Sequence, residues 1–420
     1  MVVLMKILVL NAGSSSQKSC LYEIDGDLQT IDPSKPLWSA QIDWDNPSGI
    51  ANLKVKTSTG AKFEQTFHSE SKSTDTLKAL ETLWSGPTKS IESSTEIQMV
   101  GHRIVHGGAK YQQSIWIDAE VKAEIDRLSI FAPIHNPANL SGINAIEQIL
   151  GEKIPQIAVF DTAFHAQLPP AAYTYPIPYE LTDRGIRRYG FHGISHQYCA
   201  QRAAHILGRD LSSLKLITCH LGNGCSLAAI RNGHSVDTTM GFTPLEGLMM
   251  GTRSGSIDPG ILVHLLRHSN YTIDELDQLL NHSSGLLGVS GVSNDMRQII
   301  SEIEQGNDRS QLAFDLFVHR LRSGIGAMLA SLGGIDALVF TAGIGENSAE
   351  VRSATCEAFG WLGLSLDLDL NNTTPRDRDI ADRDSQVRVL VIHTEEDWAI
   401  AQECCRLKMT KEEEFDKIRI

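Results

Sequence analysis

The sequence predicts an α/β fold built twice. Apolar strand-like runs alternate with helical periods along all 420 residues. A strand–turn–strand pattern opens each half, KILVLNAGSSSQKSCLYEI at 6–24 and LKLITCHLGNGCSLAAI at 214–230. The length suits two domains or an embedded duplication. The repeat is one of pattern, since the two stretches share no useful residue identity.

In chain order, KILVL and CLYEI read as strands around a polar turn. Residues 28–67 alternate apolar and polar positions, as in WSAQIDW and NLKVKT, and predict further hairpin strands. The segment 73–84 begins with Ser and Thr and sets Leu77, Leu80 and Leu83 on one face, which predicts a capped helix. IQMVGHRIVH predicts a strand, helices are expected at about 118–131 and 137–150, and QIAVF reads as a buried strand. In the second half, helices are expected at about 259–268, 273–281, 295–304 and 309–331. ALVFTAGIGENS reads as a strand, a glycine turn and then a helix. VRVLVIHTEEDWAIAQEC reads as strand then helix, and the charged tail KMTKEEEFDKIRI as a solvated helix end.

Net charge is −14, which excludes a large basic footprint for nucleic acid or anionic membrane. No nucleic-acid or membrane partner is expected. Seven scattered cysteines without a C-x-x-C fit a reduced, cytoplasmic setting rather than a disulfide framework or zinc ribbon. MVVLMKILVL runs straight into a turn and lacks a cleavage region, so no signal peptide is expected.

The segment NAGSSSQKS invites a P-loop reading. A P-loop needs G-x-x-x-x-G-K-[ST] and a following helix. Gln17 stands where the second glycine is required, and SCLYEI alternates like a strand. The stretch is therefore a hairpin turn carrying Asn11, three hydroxyls and Lys18.

Four segments end an apolar run in polar or glycine-rich residues: LVLNAGSSS, AVFDTAFH, ITCHLGNGCS and LVFTAGIGENS. Ligands of α/β sheets lie beyond strand carboxyl ends, and glycines let amides approach phosphate. Together they favour a nucleotide-phosphate cradle, with a cleft between the halves as the expected site. Asp161 follows a buried run and reads either as a hydrogen-bonded cap or as a base or metal carboxylate. Arg103 and Arg253 lie among small or apolar neighbours, where a guanidinium needs an internal acid or a bound anion. His192 and His196 have i, i+4 spacing, as do His102 and His106, but neither pair carries the zincin glutamate. Glu395, Glu396 and Asp397 sit at a helix start, where they either favour the dipole or hold magnesium.

NAGSSSQK, HRIVHGG, FDTAFH, YGFHGISH, HLGNGCS, TPLEGLMMGTRSG and TAGIGEN occur in the order found in acetate kinases. From about residue 6 to 404 the chain resembles that family, and MMGTRSG resembles it more than the shorter butyrate kinases. The resemblance implies two duplicated ribonuclease H-like (actin-like ATPase) domains, 1–162 plus 398–420 and 163–397, with a cleft between them. It implies reversible phosphoryl transfer between ATP and acetate, giving ADP and acetyl phosphate, with Mg²⁺ or Mn²⁺, by a cytoplasmic homodimer.

The residues that match are carried over singly. Asn11 and Glu396 match the metal site, and Ser14, Ser16 and Lys18 the phosphate side of the nucleotide. Arg103 matches the arginine that holds the acyl substrate, Asp161 the catalytic aspartate, and His192 with Arg253 the pair that stabilises the moving phosphoryl group. His220, Leu221, Gly222, Asn223 and Gly224 match one nucleotide loop. Asp295, Met296 and Arg297 match a second, and Gly343, Ile344, Gly345, Glu346 and Asn347 a third. Val105, Ile134, Phe191 and Pro244 match the acyl methyl pocket.

There are departures. Ile134 replaces the usual leucine, and one methylene in such a pocket is worth about 1–3 kcal/mol. Ser256 replaces a common aspartate. The usual NEE is Glu395-Glu396-Asp397. Residues 28–62 are longer than is typical, and the excess reads as a surface insertion. Three alternatives stay open: a propionate or other short-chain acyl kinase, a nucleotide-binding sensor without transfer activity, and a histidine-dependent metallohydrolase.

Overall fold

The computed structural model describes residues 4–13, 16–25, 32–45, 48–133, 135–373 and 375–418. The chain forms two compact units, Met1–Ala163 with Glu395–Ile420, and Phe164–Thr394. The chain returns to the first unit at Glu395, close to the boundary expected at 397/398.

The first unit holds eight strands: β1 (Met5–Ala12), β2 (Ser16–Ile24), β3 (Trp38–Asp45), β4 (Ile50–Thr57), β5 (Lys62–His68), β6 (Met99–Ile104), β7 (Ile115–Trp116) and β8 (Gln156–Phe160). They form one sheet in the order β5-β4-β3-β2-β1-β6-β8-β7. The second unit holds β9 (Lys215–Leu221), β10 (Cys225–Arg231), β11 (His234–Thr238), β12 (Ala337–Thr341), β13 (Arg378–Asp379) and β14 (Arg388–Val391), in the order β11-β10-β9-β12-β14-β13.

One plan underlies both sheets. An antiparallel meander (β3-β2-β1; β11-β10-β9) continues into two parallel strands (β6 and β8; β12 and β14). A short antiparallel strand, β7 or β13, closes each. The parallel strands are covered on both faces, which is why QIAVF and ALVFT read as unbroken apolar runs and are buried throughout.

Helix Glu396–Ile418 covers one face of the first sheet. A Cβ on Gly101 of β6 would stand 2.6 Å from Cys404 Sγ and 2.7 Å from Ile400 Cγ2. Only glycine permits that approach of helix to strand. The opposite face carries Leu8, Leu10, Leu21, Trp38 and Ile42 against Leu80 and Leu83 of helix Lys72–Trp84.

The described strands within 32–62 are built into the sheet and its core. Trp38, Ile42, Trp44, Leu53 and Val55 lie in the buried core, and Trp44 Nε1 donates to the buried Asp75 carboxylate. β3 is a regular member of the shared plan, while β4 and β5 extend it. Several helices carry no expectation from the sequence, the longest being Gly193–Leu207, and the glycine turn after β12 is itself the short helix Ala342–Asn347. The charged tail continues as helix to Ile418. No described helix is long and apolar enough to cross a membrane.

Candidate functional site

In the first unit the candidate residues gather at strand carboxyl ends. Parallel pairing aligns Leu10 with His102 and Ile104 with Phe160, so Asn11, Arg103 and Asp161 emerge side by side. Arg103 Nε and Nη2 both donate to Asp161 Oδ2, the former at 3.1 Å. Its Nη1 donates to Asn11 Oδ1 at 3.2 Å. The internal-acid reading of Arg103 is therefore realised. These bonds use three of the five guanidinium N–H groups, and two are left to meet a carboxylate. Burial acts to lower the Arg103 pKa, but Asp161 and Glu396 outweigh it and the net shift is upward.

Asp161 is almost wholly buried, and its Oδ1 accepts no hydrogen bond from the described residues. Asp397 Oδ1 is likewise buried without a partner among them. Withdrawal from water raises the Glu396 pKa against the pull of Arg103. Burial, then Glu396, raises that of Asp397. Orphaned carboxylate oxygens beside a destabilised carboxylate suit a hard dication. No group of three or more His, Cys, Asp or Glu able to cage a metal exists among the described residues. Mg²⁺ needs none, because it is held by one or two carboxylates with water and phosphate. Glu396 supplies a carboxylate of that kind close to Asp161, and Asn11 an amide oxygen that here accepts from Arg103.

Asn11 and Lys18 are directly opposite in the β1–β2 ladder, and Lys18 is exposed. Gly13 N–H donates to the Ser16 carbonyl at 2.8 Å, closing the turn. Ser14 and Ile134 lie outside the described residues. Gln17, which spoils the P-loop pattern, is buried and holds Thr76 and Ser19. Val105 is buried, and its amide donates to Asn139 Oδ1.

In the second unit, His192 sits immediately before helix Gly193–Leu207 with φ 55°, a left-handed conformation costly for any residue with a Cβ. Its ring stacks on His220 at 4.0 Å, and its Nδ1 is 2.9 Å from Ser226 Oγ. His220 Nδ1 in turn meets Ser195 Oγ. His196 places its two ring nitrogens on Thr218 and Ser226 and is not paired with His192 as a metal ligand.

Arg253 Nη1 donates to the Pro244 carbonyl at 3.1 Å. Burial lowers its pKa, and no carboxylate among the described residues pairs with it. A Cβ on Gly224 would lie 3.3 Å from His192 Nε2 and 3.5 Å from Arg253 Nη1. The absent side chain thus leaves both cationic or donor groups facing one small space. Phe191 is buried next to His192.

A cavity of about 700 Å³ is lined by Gly222, Asn223, Asp295, Met296, Arg297, Gly343, Ile344 and Asn347. All three sequence-predicted nucleotide loops contribute. β9 and β12 run parallel with Thr341 opposite His220, which brings their glycine ends together. Asn294, Ile300, Ser348 and Glu350 also line it, and sequence reading missed them. Asn294 adjoins a named loop, so its position alone could have flagged it. Leu221 and Gly345 are buried in the fold and do not line the cavity. The Glu346 carboxylate turns away to the Ala342 and Thr394 amides and to His393 Nδ1. Asp295 caps helix Met296–Glu304 and chelates the exposed Arg297.

The profile of the Acetokinase family matches residues 6–402. An acetate kinase from Gloeobacter violaceus is 64% identical over 400 residues, 95% of this chain and 98% of that protein. The crystal structure of Porphyromonas gingivalis acetate kinase superposes with a TM-score of 0.87 at 40% identity, covering 95% of this chain and 98% of that one. A propionate kinase from Francisella tularensis gives 0.86 at 37% identity with the same coverage. These likenesses extend through both units, so the shared sheet plan is the duplicated ribonuclease H-like fold. With its strand-end carboxylates, its unpaired arginine and its glycine-lined cavity all inside the matched span, the chain belongs to the acetokinase family.

Proposed function

We propose that this chain carries out the acetate kinase reaction by direct, in-line attack of the acetate carboxylate on the γ-phosphorus of ATP. Acetate kinase activity follows from full-length identity to curated acetate kinases. ATP and ADP are its nucleotide substrates. The observation that carries the mechanism is Arg253, a guanidinium without an acidic partner that shares the space over Gly224 with His192. An oxygen of acetate bonds to phosphorus as the bond to the β,γ-bridging oxygen breaks, and ADP leaves. Acetate is already ionised, so no proton need be removed, and catalysis is positioning and charge stabilisation.

Arg103 offers its two remaining N–H groups to the acyl carboxylate. His192 and Arg253 donate to the phosphoryl oxygens as charge shifts among them. Asp161 orients Arg103 through Oδ2 and keeps Oδ1 for the metal's water shell. Bound Mg²⁺ supplies charge neutralisation on the phosphate oxygens, and Asn11 and Glu396 would hold it. The cavity of the second unit takes the nucleotide. Val105, Phe191, Pro244 and Ile134 are the residues this scheme assigns to selection of the acyl methyl group.

The test is hydroxamate trapping of acyl phosphate with Mg²⁺, repeated after chelation, with kcat/KM compared across acetate, propionate and butyrate. Acetate should lead, and chelation should abolish trapping. No acyl phosphate would leave a nucleotide-binding protein without transfer. A lead for propionate would reassign the substrate.

We further propose a cytoplasmic homodimer. No residue of helix Pro259–His268 is buried, although Ile261, Val263 and Leu266 are apolar and exposed, as is nearby Ile273. Exposed large apolar side chains gathered on one short segment are what an association surface presents. Light scattering should give twice the chain mass, and Leu266→Glu should give the single mass. A monomeric parent protein would refute the dimer.

A further inference from the structure

We propose that Thr218, His196 and Ser226 form a directed hydrogen-bond relay that holds His192 as the Nε2–H tautomer. The proposal deepens the reading of His192 as a donor to the phosphoryl group and rests on it. The three residues do not touch substrate in that reading; they are positioning residues.

The relay is a line of three hydrogen bonds inside the second unit. Thr218 Oγ1 lies 2.7 Å from His196 Nδ1. His196 Nε2 lies 2.8 Å from Ser226 Oγ. Ser226 Oγ lies 2.9 Å from His192 Nδ1. Thr218, His196 and Ser226 are fully buried, so water cannot complete their bonding. Neither hydroxyl has another hydrogen-bond partner among the described residues.

Counting protons fixes the direction. Ser226 has one hydroxyl proton and stands between two ring nitrogens. Suppose His192 Nδ1 carried a proton and gave it to Ser226. Ser226 would then donate to His196 Nε2, and His196 Nδ1–H to Thr218. The Thr218 hydroxyl proton would be left buried with no acceptor. Suppose instead that both rings donated to Ser226. Then the Ser226 hydroxyl proton would be stranded, and the Thr218 proton as well if His196 carried two protons. Burial opposes that, holding the His196 pKa well below its ordinary value.

One arrangement uses every donor once. Thr218 O–H donates to His196 Nδ1, His196 Nε2–H donates to Ser226 Oγ, and Ser226 O–H donates to His192 Nδ1. Buried donors are rarely left unbonded, so this arrangement is the stable one. His192 must then carry its proton on Nε2, the nitrogen that stands 3.3 Å from a Cβ placed on Gly224. The left-handed backbone at residue 192 and the stack on His220 hold the ring plane, while the relay sets which nitrogen bears hydrogen. Fixing a tautomer through the far ring nitrogen is a general means of tuning a histidine.

The test is long-range ¹H–¹⁵N correlation on the histidine rings of the full-length protein at neutral pH, assigned with His192→Gln and His196→Gln. His192 and His196 should both show the neutral Nε2–H pattern. An Nδ1–H pattern at either ring would overturn the relay. Kinetics give an independent reading. Ser226→Ala should lower kcat by about 10- to 100-fold, the usual cost of losing a partner that orients a functional histidine. KM for acetate and ATP should change little. Should Ser226→Ala fail to fold, Thr218→Val keeps the shape and removes only the hydroxyl. It should lower kcat, and Thr218→Ser should restore it. Equal rates in Thr218→Val and Thr218→Ser would also overturn the relay. A wild-type rate in His192→Gln would instead remove the donor role of His192, whichever tautomer the spectra show.

Discussion

Arg253→Ala should lower kcat by about 10²–10³ while leaving the fold intact. The size follows from the removal of one preorganised donor aimed at developing charge. Among the described residues Arg253 has a carbonyl for a neighbour and no carboxylate. Its charge is therefore poorly compensated until an anion arrives, and burial already lowers its pKa. Such a group contributes little to stability and much to a trianionic transition state. The two readouts should part company. Thermal stability of Arg253→Ala should equal or exceed that of the parent, whereas turnover collapses. KM for ATP and acetate should move less than kcat, because the interaction strengthens as the phosphoryl group transfers. Arg253→Lys keeps the charge but loses the planar fork, so its rate should fall between the two. A kcat near that of the parent in Arg253→Ala, measured in the acetyl phosphate-forming direction, would remove Arg253 from the mechanism.

The same arginine shows what a sequence discloses and what it withholds. Its small and apolar neighbours were readable, and they implied a guanidinium in need of an anion. Whether the anion was internal was not readable. Arg103 posed the same question and has the other answer, because β8 lies beside β6 and delivers Asp161 to it. Adjacent positions of non-consecutive strands decide such pairings, and adjacency is a property of the sheet. The cavity of the second unit makes the same point. Each glycine-rich strand end was legible alone. Their convergence depends on β12 inserting beside β9, more than a hundred residues away in the chain.

Strongly periodic helices were legible to within a residue or two, as at Pro259–His268, Ile273–His282 and Asp308–Leu332. Gly193–Leu207 was not, because its start is a histidine in a left-handed conformation with no capping side chain. The helix Ala342–Asn347 hid behind two glycines that ordinarily signal a turn. In residues 28–62 the strand alternation was visible, but not that the apolar side faced a core shared with Leu80 and Leu83. Unusual length suggested surface, while the alternating tryptophans and aliphatics indicated a buried face.

Arg352→Ala should destabilise the second unit by about 3–5 kcal/mol, the range for truncating a large, fully bonded buried side chain. Arg352 is 1% exposed. Its Nε donates to Asn371 Oδ1 at 2.7 Å and its Nη2 to the Asn371 carbonyl at 2.8 Å. Its Nη1 donates to the Gly345 and Glu346 carbonyls at 2.9 and 2.8 Å. No carboxylate among the described residues bonds to it. Burial draws the pKa down to about 10, which still leaves the group charged at neutral pH. The charge is satisfied by carbonyls, two of them at the negative end of helix Ala342–Asn347. Truncation would leave those acceptors buried without donors and open a void beside them. A drop of 3–5 kcal/mol corresponds to a thermal midpoint lower by roughly 10 °C for a unit of this size. Arg352→Lys retains a cation but cannot span Asn371 and the helix end together, so it should recover only part of the loss. Function should follow stability for a local reason. Gly343, Ile344 and Asn347 of the pinned helix line the cavity assigned to the nucleotide. KM for ATP should therefore rise in both variants while KM for acetate stays near its parent value. If Arg352→Ala unfolded at the parent midpoint with an unaltered KM for ATP, the pinning of helix Ala342–Asn347 by this arginine would be refuted.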